Sequence, residues 1–291
     1  MIYDYIIAGA GVAGSVCAYI LSKKGAKCII LEKNNTLMEK ICGGGVPRKA
    51  INLLEQIGID TKILLNENVS IINGHVIERN GITKTYYYSK NEFALGMRRY
   101  ILDGFILKQA LVKGSKINFG INVSDIIYKD SLYRVNGYYG RNFICAVGAR
   151  GIGNNIPIGQ SMGISTQING KCSLNSDKFY YWYYAEKDDR YCWMFPIGKD
   201  LWNIGVWYRI PSSTLLRDYR QIFFNKIKKY FPFGYQTISQ PKGEFLGNVD
   251  QRLIYKNNFY GIGDFAGMNN IKNGGGILPA IKSAIILANK F

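Results

Sequence analysis

One feature at the start of the chain restricts its fold more than any other: an apolar run, Tyr3 to Ala8, passes directly into Gly9-Ala10-Gly11-Val12-Ala13-Gly14. A helical stretch from Ser15 to Lys24 follows, then a second apolar run from Lys27 to Leu31 that ends on Glu32. Strand, glycine turn, helix and strand in this order predict a βαβ unit that binds a dinucleotide. Each glycine answers a separate steric demand. Gly9 allows the tight turn, Gly11 lets the backbone approach a pyrophosphate with no Cβ in the way, and Gly14 lets the helix close on the strand. The helix N-terminus then offers unpaired N–H groups and a partial positive charge to the phosphates. Glu32 stands where a carboxylate accepts hydrogen bonds from the adenosine ribose hydroxyls and repels a 2′-phosphate, so the nucleotide is FAD or NAD rather than NADP.

The far end of the chain separates these two. Asn258 to Ile262 reads as a strand leading into Gly263-Asp264-Phe265-Ala266-Gly267. An aspartate after a strand-ending glycine suits a ribityl hydroxyl of FAD, and a NAD dehydrogenase has no use for it. Gly274-Gly275-Gly276-Ile277-Leu278-Pro279 then reads either as a flexible loop or as the opening of a last helix reaching about Asn289. Pro279 is tolerated only in a first turn, which fixes the helix start near the glycines. An N-terminus aimed at the flavin pyrimidine would stabilise negative charge in the reduced ring.

These segments together resemble the FAD family built on the p-hydroxybenzoate hydroxylase plan, which includes aromatic monooxygenases, flavin-dependent halogenases and geranylgeranyl reductases. The resemblance rests on GAGVAG with Glu32, on Arg99-Tyr100-Ile101-Leu102-Asp103 at the head of a helix, and on GIGDFAG with the Gly274 to Gly276 helix. Phe143 to Gly151 is similar to the family's strand ending in G-A-D-G; Arg150 stands where the acidic residue is usual, so no role is carried onto it. Lys40-Ile41-Cys42-Gly43-Gly44-Gly45-Val46 looks like the K-x-C-G-G-G segment of the geranylgeranyl reductase branch, and Tyr191-Cys192-Trp193-Met194-Phe195-Pro196 like its Y-x-W-x-F-P motif. Asp188 stands where the fuller form of that motif has proline.

The resemblance implies an α/β fold: a Rossmann-like FAD-binding domain from residues 1–68, 95–164 and 248–291, with an inserted antiparallel β-sheet substrate domain from 69–94 and 165–247. It assigns FAD to Gly9, Gly11, Ala13, Gly14, Glu32, Lys33, Cys42, Gly43, Gly44, Arg99, Val123, Gly263, Asp264, Gly274, Gly275, Gly276 and Ile277. Arg99 is expected near the pyrophosphate, with Arg98 as a competitor. Cys42, in a glycine-rich loop, reads either as a catalytic residue beside the isoalloxazine or as a small buried apolar side chain. Tyr191, Trp193 and Phe195 alternate in a strand and therefore share one face, which is either a substrate wall over the flavin or ordinary sheet core. The implied reaction is hydride transfer from reduced flavin to a carbon–carbon double bond of a prenyl-lipid substrate. With no second GxGxxG, electrons are expected from NAD(P)H docking transiently or from an acidic carrier such as ferredoxin or flavodoxin. A monooxygenase or halogenase acting on an aromatic substrate, and a flavin electron-transfer protein, are the alternatives.

Composition narrows the classes further. The 37 Lys and Arg residues against 20 Asp and Glu give a formal charge of +17, which suits acidic partners, anionic membrane surfaces or simple solubility. No nucleic-acid motif accompanies that charge. The six cysteines form no CxxC pair and His75 is the only histidine, so neither a zinc site nor a Ser-His-Asp or Cys-His hydrolase is expected. His75 reads as a surface residue of a strand. No basic leader with a cleavage site is recognisable, and runs such as Ala284 to Ala288 are too short to span a bilayer, so a cytoplasmic protein with optional peripheral membrane contact is expected.

Overall fold

A computed structural model describes residues 1–149, 151–152, 161–183, 190–209, 216–246, 257–270 and 274–291. Arg150 and Asp188 lie outside the described residues. The elements in chain order are β1 (Ile2–Ala8), α1 (Val12–Lys23), β2 (Cys28–Glu32), β3 (Gly45–Val46), α2 (Arg48–Gln56), β4 (Ser70–Ile72), β5 (Gly74–Arg79), β6 (Ile82–Tyr87), β7 (Ala94–Gly96), α3 (Arg99–Val112) and β8 (Lys116–Phe119). They continue with β9 (Ile126–Lys129), β10 (Leu132–Val135), β11 (Tyr138–Cys145), β12 (Ser161–Asn169), β13 (Lys178–Tyr183), β14 (Arg190–Gly198), β15 (Leu201–Arg209), α4 (Leu216–Lys228), β16 (Gln236–Thr237), β17 (Lys242–Leu246), β18 (Phe259–Gly261) and α5 (Ile277–Ala288).

The first sheet has the order β8-β2-β1-β11-β10-β9, with β18 also pairing β11. β1 runs parallel to both β2 and β11, and β18 runs parallel to β11, whereas β9 and β10 form an antiparallel edge. A parallel strand covered on both faces needs an unbroken apolar run, and Ile6, Ile7 and Ala8 are all fully buried. Ile7 joins Val16 of α1, Ile106 of α3 and Ile281 of α5 in one core, while Ile6 meets Val135 and Phe143 on the other face. The glycine turn therefore emerges where β1 parts from its two parallel neighbours, the usual crevice for a ligand in an open α/β sheet. Helix α1 starts at Val12 rather than Ser15, because Gly14 lies inside the helix and packs on the turn.

The second sheet has the order β16-β12-β15-β14-β13-β5-β6, with β17 pairing β12. Its pairs are antiparallel except for β5 with β13, which is parallel. One face is covered by α4, whose Phe223 and Ile227 pack on Trp182, Met194 and Ile204. Full burial of each such side chain stabilises the fold by about 2 kcal/mol. The opposite face carries Phe179, Trp193, Phe195 and Trp207 against Ile72 and Ala94. A small third sheet, β3-β7-β4, lies between these residues and α2, so β4 pairs with β7 while β5 and β6 extend the large sheet.

His75 departs from the surface expectation. It is half-buried in β5 and stacked on Tyr86 with ring centroids 5.0 Å apart, and burial lowers its pKa. Among the described residues no helix is long and apolar enough to cross a membrane.

Candidate functional site

Gly9 ends β1 in a left-handed conformation, φ +99°, and its N–H donates to the Leu31 carbonyl at 2.8 Å. A side chain there would be strained and would run into the Ala146 carbonyl. Gly11 is the N-cap of α1 and no side chain caps the helix, so its first N–H groups stay available to an anion. A Cβ on Gly11 would collide with the Lys40 ammonium, so that positive charge lies directly over the bare turn.

Glu32 is buried and ties the turn to the end of β2. Its Oε2 accepts the Ala10 N–H at 2.9 Å, and its Oε1 accepts the Asn34 N–H at 3.1 Å and the Asn34 side-chain amide at 2.8 Å. The backbone N–H groups of Gly120 and Ile121 donate to Asn34 and Glu32 carbonyls, both at 2.9 Å, which brings buried Val123 beside Leu31. Lys33 points to solvent. Replacing Glu32 by alanine is expected to weaken FAD binding about 10- to 100-fold and cost about 2 kcal/mol, because the Ala10 N–H loses a charged acceptor. FAD titration of the apoprotein measures the first effect and urea unfolding the second; Glu32→Gln should fall between the two.

Arg99 opens α3 and folds back on Asp103, donating from Nε at 3.2 Å and from Nη2 at 3.0 Å to Oδ1. Lys40 Nζ approaches the other oxygen of Asp103 at 3.5 Å. Burial opposes the Arg99 charge, yet Asp103 and the adjacent Cys42 thiol more than offset it, and the guanidinium pKa lies above its ordinary value. Arg98, the competitor, has its buried Nε without a partner among the described residues and lies 5.9 Å from the Tyr100 ring centroid. Glu39 accepts the N–H groups of Arg99 and Tyr100, so α3 is capped by a residue from another segment.

The two ends of the chain meet here. Gly263 is left-handed, φ +62°, and a Cβ on it would lie 3.0 Å from the Ala13 Cβ. Its N–H donates to Ser283 Oγ of α5 at 3.0 Å. Asp264 follows in a short 3-10 turn, with Oδ1 sealed from solvent and without a partner among the described residues. Burial raises its pKa, Arg99 and Lys40 pull it back down, and Glu244 adds to the rise. Gly274 and Gly275 turn back on Asn270, and Gly276 lies so close that a Cβ on it would be 3.3 Å from Asp264 Oδ1. Buried Ile277 then starts α5, whose N-terminus is also uncapped, and Pro279 lies in its first turn as expected.

Cys42 is half-buried, and its Sγ accepts the Gly44 N–H at 3.4 Å. A Cβ on Gly43 would meet Phe195 at 2.8 Å and the Trp193 indole nitrogen at 3.2 Å, so the cysteine loop lies on the aromatic face of the large sheet. Tyr191, Trp193 and Phe195 share that face, with successive ring centroids 6.0 and 6.3 Å apart. Phe179, Tyr181 and Trp207 complete the wall. Burial pushes the Tyr181 and Tyr191 phenols well above their ordinary range, so both stay neutral. Lys40, Asp103 and Asn203 are site residues to which sequence reasoning gave no role. Asp103 was detectable four residues after Arg99 on a helix. Asn203, in the apolar run Leu201 to Trp207, carried no chemical signal beyond being polar.

Residues 3–124, which include the glycine turn, Glu32, the cysteine loop and Arg99, match the family model of the FAD binding domain. The chain is an FAD-dependent oxidoreductase. Two helix N-termini without a side-chain cap, the Lys40 ammonium at the turn and a sealed Asp264 oxygen without a partner among the described residues fit the pyrophosphate and polyol of FAD. This flavoprotein is 25% identical to digeranylgeranylglycerophospholipid reductase 1 of Methanococcoides burtonii over 97% of its own chain and 72% of that protein. Its fold is that of a geranylgeranyl bacteriochlorophyll reductase-like protein from Thermoplasma acidophilum, at TM-score 0.80 and 19% identity over 99% of this chain and 77% of that one. A myxobacterial chondrochloren halogenase shares the fold equally well, at TM-score 0.80 and 16% identity over 98% of this chain and 73% of that one.

Proposed function

We propose that this flavoprotein reduces carbon–carbon double bonds in the isoprenoid chain of a prenyl lipid. The observation that carries the reading is the contact of Gly43 with Phe195 and Trp193, which lays an apolar aromatic wall against the loop bearing Cys42. In this reading Gly9 to Gly14, Lys40 and Arg99 hold the pyrophosphate, Glu32 the adenosine ribose and Asp264 the ribityl chain. The Gly274 to Gly276 turn and α5 face the flavin pyrimidine. The large sheet is the substrate layer, and the resemblance to an archaeal lipid reductase supports that assignment.

Bound and reduced, FAD supplies a hydride to one alkene carbon. An isolated alkene is a poor acceptor, so the chain's own part is alignment and exclusion of water. Phe179, Tyr181, Trp193 and Phe195 offer flat surfaces that fix an extended chain without competing hydrogen bonds. The raised pKa values make Tyr181 and Tyr191 poor acids, so neither phenol is suited to deliver the proton to the second carbon. The excess of positive charge suits NAD(P)H or an acidic protein carrier as electron donor, and an anionic membrane as the source of substrate.

The test is anaerobic. The purified yellow protein is reduced, mixed with a geranylgeranyl lipid, and followed by return of the visible flavin band and by the mass of the lipid. Reoxidation with addition of hydrogen across the double bonds is expected. Failure with every polyprenyl compound, together with oxygen-dependent hydroxylation or halogenation of an aromatic substrate, would replace the reading with the monooxygenase or halogenase one; reoxidation by a protein carrier alone would make the chain an electron-transfer protein.

A further inference from the structure

Asn203 lies near the start of β15, 2% exposed, directly across from Phe195 on the aromatic face. Both ends of its amide are used. Trp193 Nε1 donates to Asn203 Oδ1 at 2.8 Å, and Asn203 Nδ2 donates to the Cys42 carbonyl at 2.8 Å. The indole N–H only donates and the peptide carbonyl only accepts, so the chemistry of the partners fixes the orientation of the amide. Two residues further along the strand, Gly205 leaves the space in which the Trp193 ring lies, since a Cβ there would overlap the indole. The loop is pinned on its other side as well, where the Met97 N–H donates to the Gly44 carbonyl at 2.9 Å.

We infer that Asn203 is a positioning residue: it locks the cysteine loop to the indole of Trp193, so that the wall and Cys42 keep one fixed spacing. The arrangement spans 161 residues of sequence. A hydrophobic residue of the same size would fill the space but leave the buried indole N–H and the Cys42 carbonyl unpaired. The inference rests on the reading that this face borders the substrate only for its effect on turnover; the locking itself is a property of the loop.

Cys42 and Cys172 are the half-exposed thiols, and the other four cysteines are buried. The experiment therefore uses the FAD-loaded full chain carrying Cys172→Ser and measures the rate of iodoacetamide labelling of Cys42. Asn203→Asp keeps the oxygen that accepts from Trp193 and removes the donor to the Cys42 carbonyl. It is expected to speed labelling about tenfold, as loss of one buried hydrogen bond frees the loop. Trp193→Phe keeps an aromatic body but removes the N–H, and gives a smaller rise through the loosened amide. A role limited to packing would lower the melting temperature of both variants with no change in labelling; that outcome overturns the inference, and Trp193→Phe decides alone should Asn203→Asp not fold. Faster labelling in a protein that reduces no isoprenoid in any form would leave the lock standing and remove the proposed function.

Discussion

Replacement of Asp103 by alanine is expected to cost about 3 to 5 kcal/mol of folding stability and to yield a protein that purifies without flavin. Asp103 is 1% exposed and its partner Arg99 only 13%, so the substitution leaves a guanidinium inside the protein without the carboxylate that it is paired with. The Lys40 contact adds little to this figure, because that ammonium is 47% exposed and solvent screens it. Urea unfolding gives the stability and the visible spectrum gives the flavin content. The double variant Arg99→Met with Asp103→Leu separates the two effects: removal of both charges should restore most of the stability while flavin affinity stays low. If Asp103→Ala unfolds within about 1 kcal/mol of the parent, the pair is not the buried anchor described here.

Gly14→Ala is expected to be comparably severe, about 3 kcal/mol or more, although it adds a single methyl group. The added Cβ would overlap the carbonyl oxygen of Gly9 and approach the Ala146 Cβ at 3.3 Å. The obstructing atom belongs to the turn itself, so α1 has to move off β1 to make room. That motion opens the dinucleotide turn, and flavin should be lost with the stability. Gly104→Ala in α3 is the matched control, since its Cβ would make an ordinary contact at 3.5 Å with Leu37. It should stabilise the fold by about 0.5 to 1 kcal/mol, because alanine loses less freedom than glycine in a helix. Thermal melts of the two variants should therefore move in opposite directions.

The parts of this architecture that were legible in the sequence are those in which one local pattern has one physical use. Gly9 to Gly14 between apolar runs led to β1, α1 and β2, and Pro279 located the start of α5. Alternation placed Tyr191, Trp193 and Phe195 on one face. The roles that remained hidden depend on partners distant in sequence. Glu32 was read for a ribose, yet its carboxylate also holds the Ala10 N–H, a bond visible only once β2 lies beside β1. Asn203 is unremarkable in its strand until the Cys42 carbonyl, 161 residues earlier, arrives next to it. The split of Val69 to Ala94 between two sheets was equally hidden, because short apolar runs carry no label for the strand that they will pair with.

The pairing of β18 with β11 and the packing of α5 on α1 join segments that lie more than a hundred and more than two hundred residues apart in sequence. During synthesis the apolar face of α1 and one flank of β11 therefore wait, uncovered, until β18 and α5 have been made. Non-local parallel pairing of this kind is slow and exposes sticky surface in the meantime. The nascent chain should lean on chaperones, and a product cut short before α5 should be recovered as an aggregate rather than as a smaller folded protein.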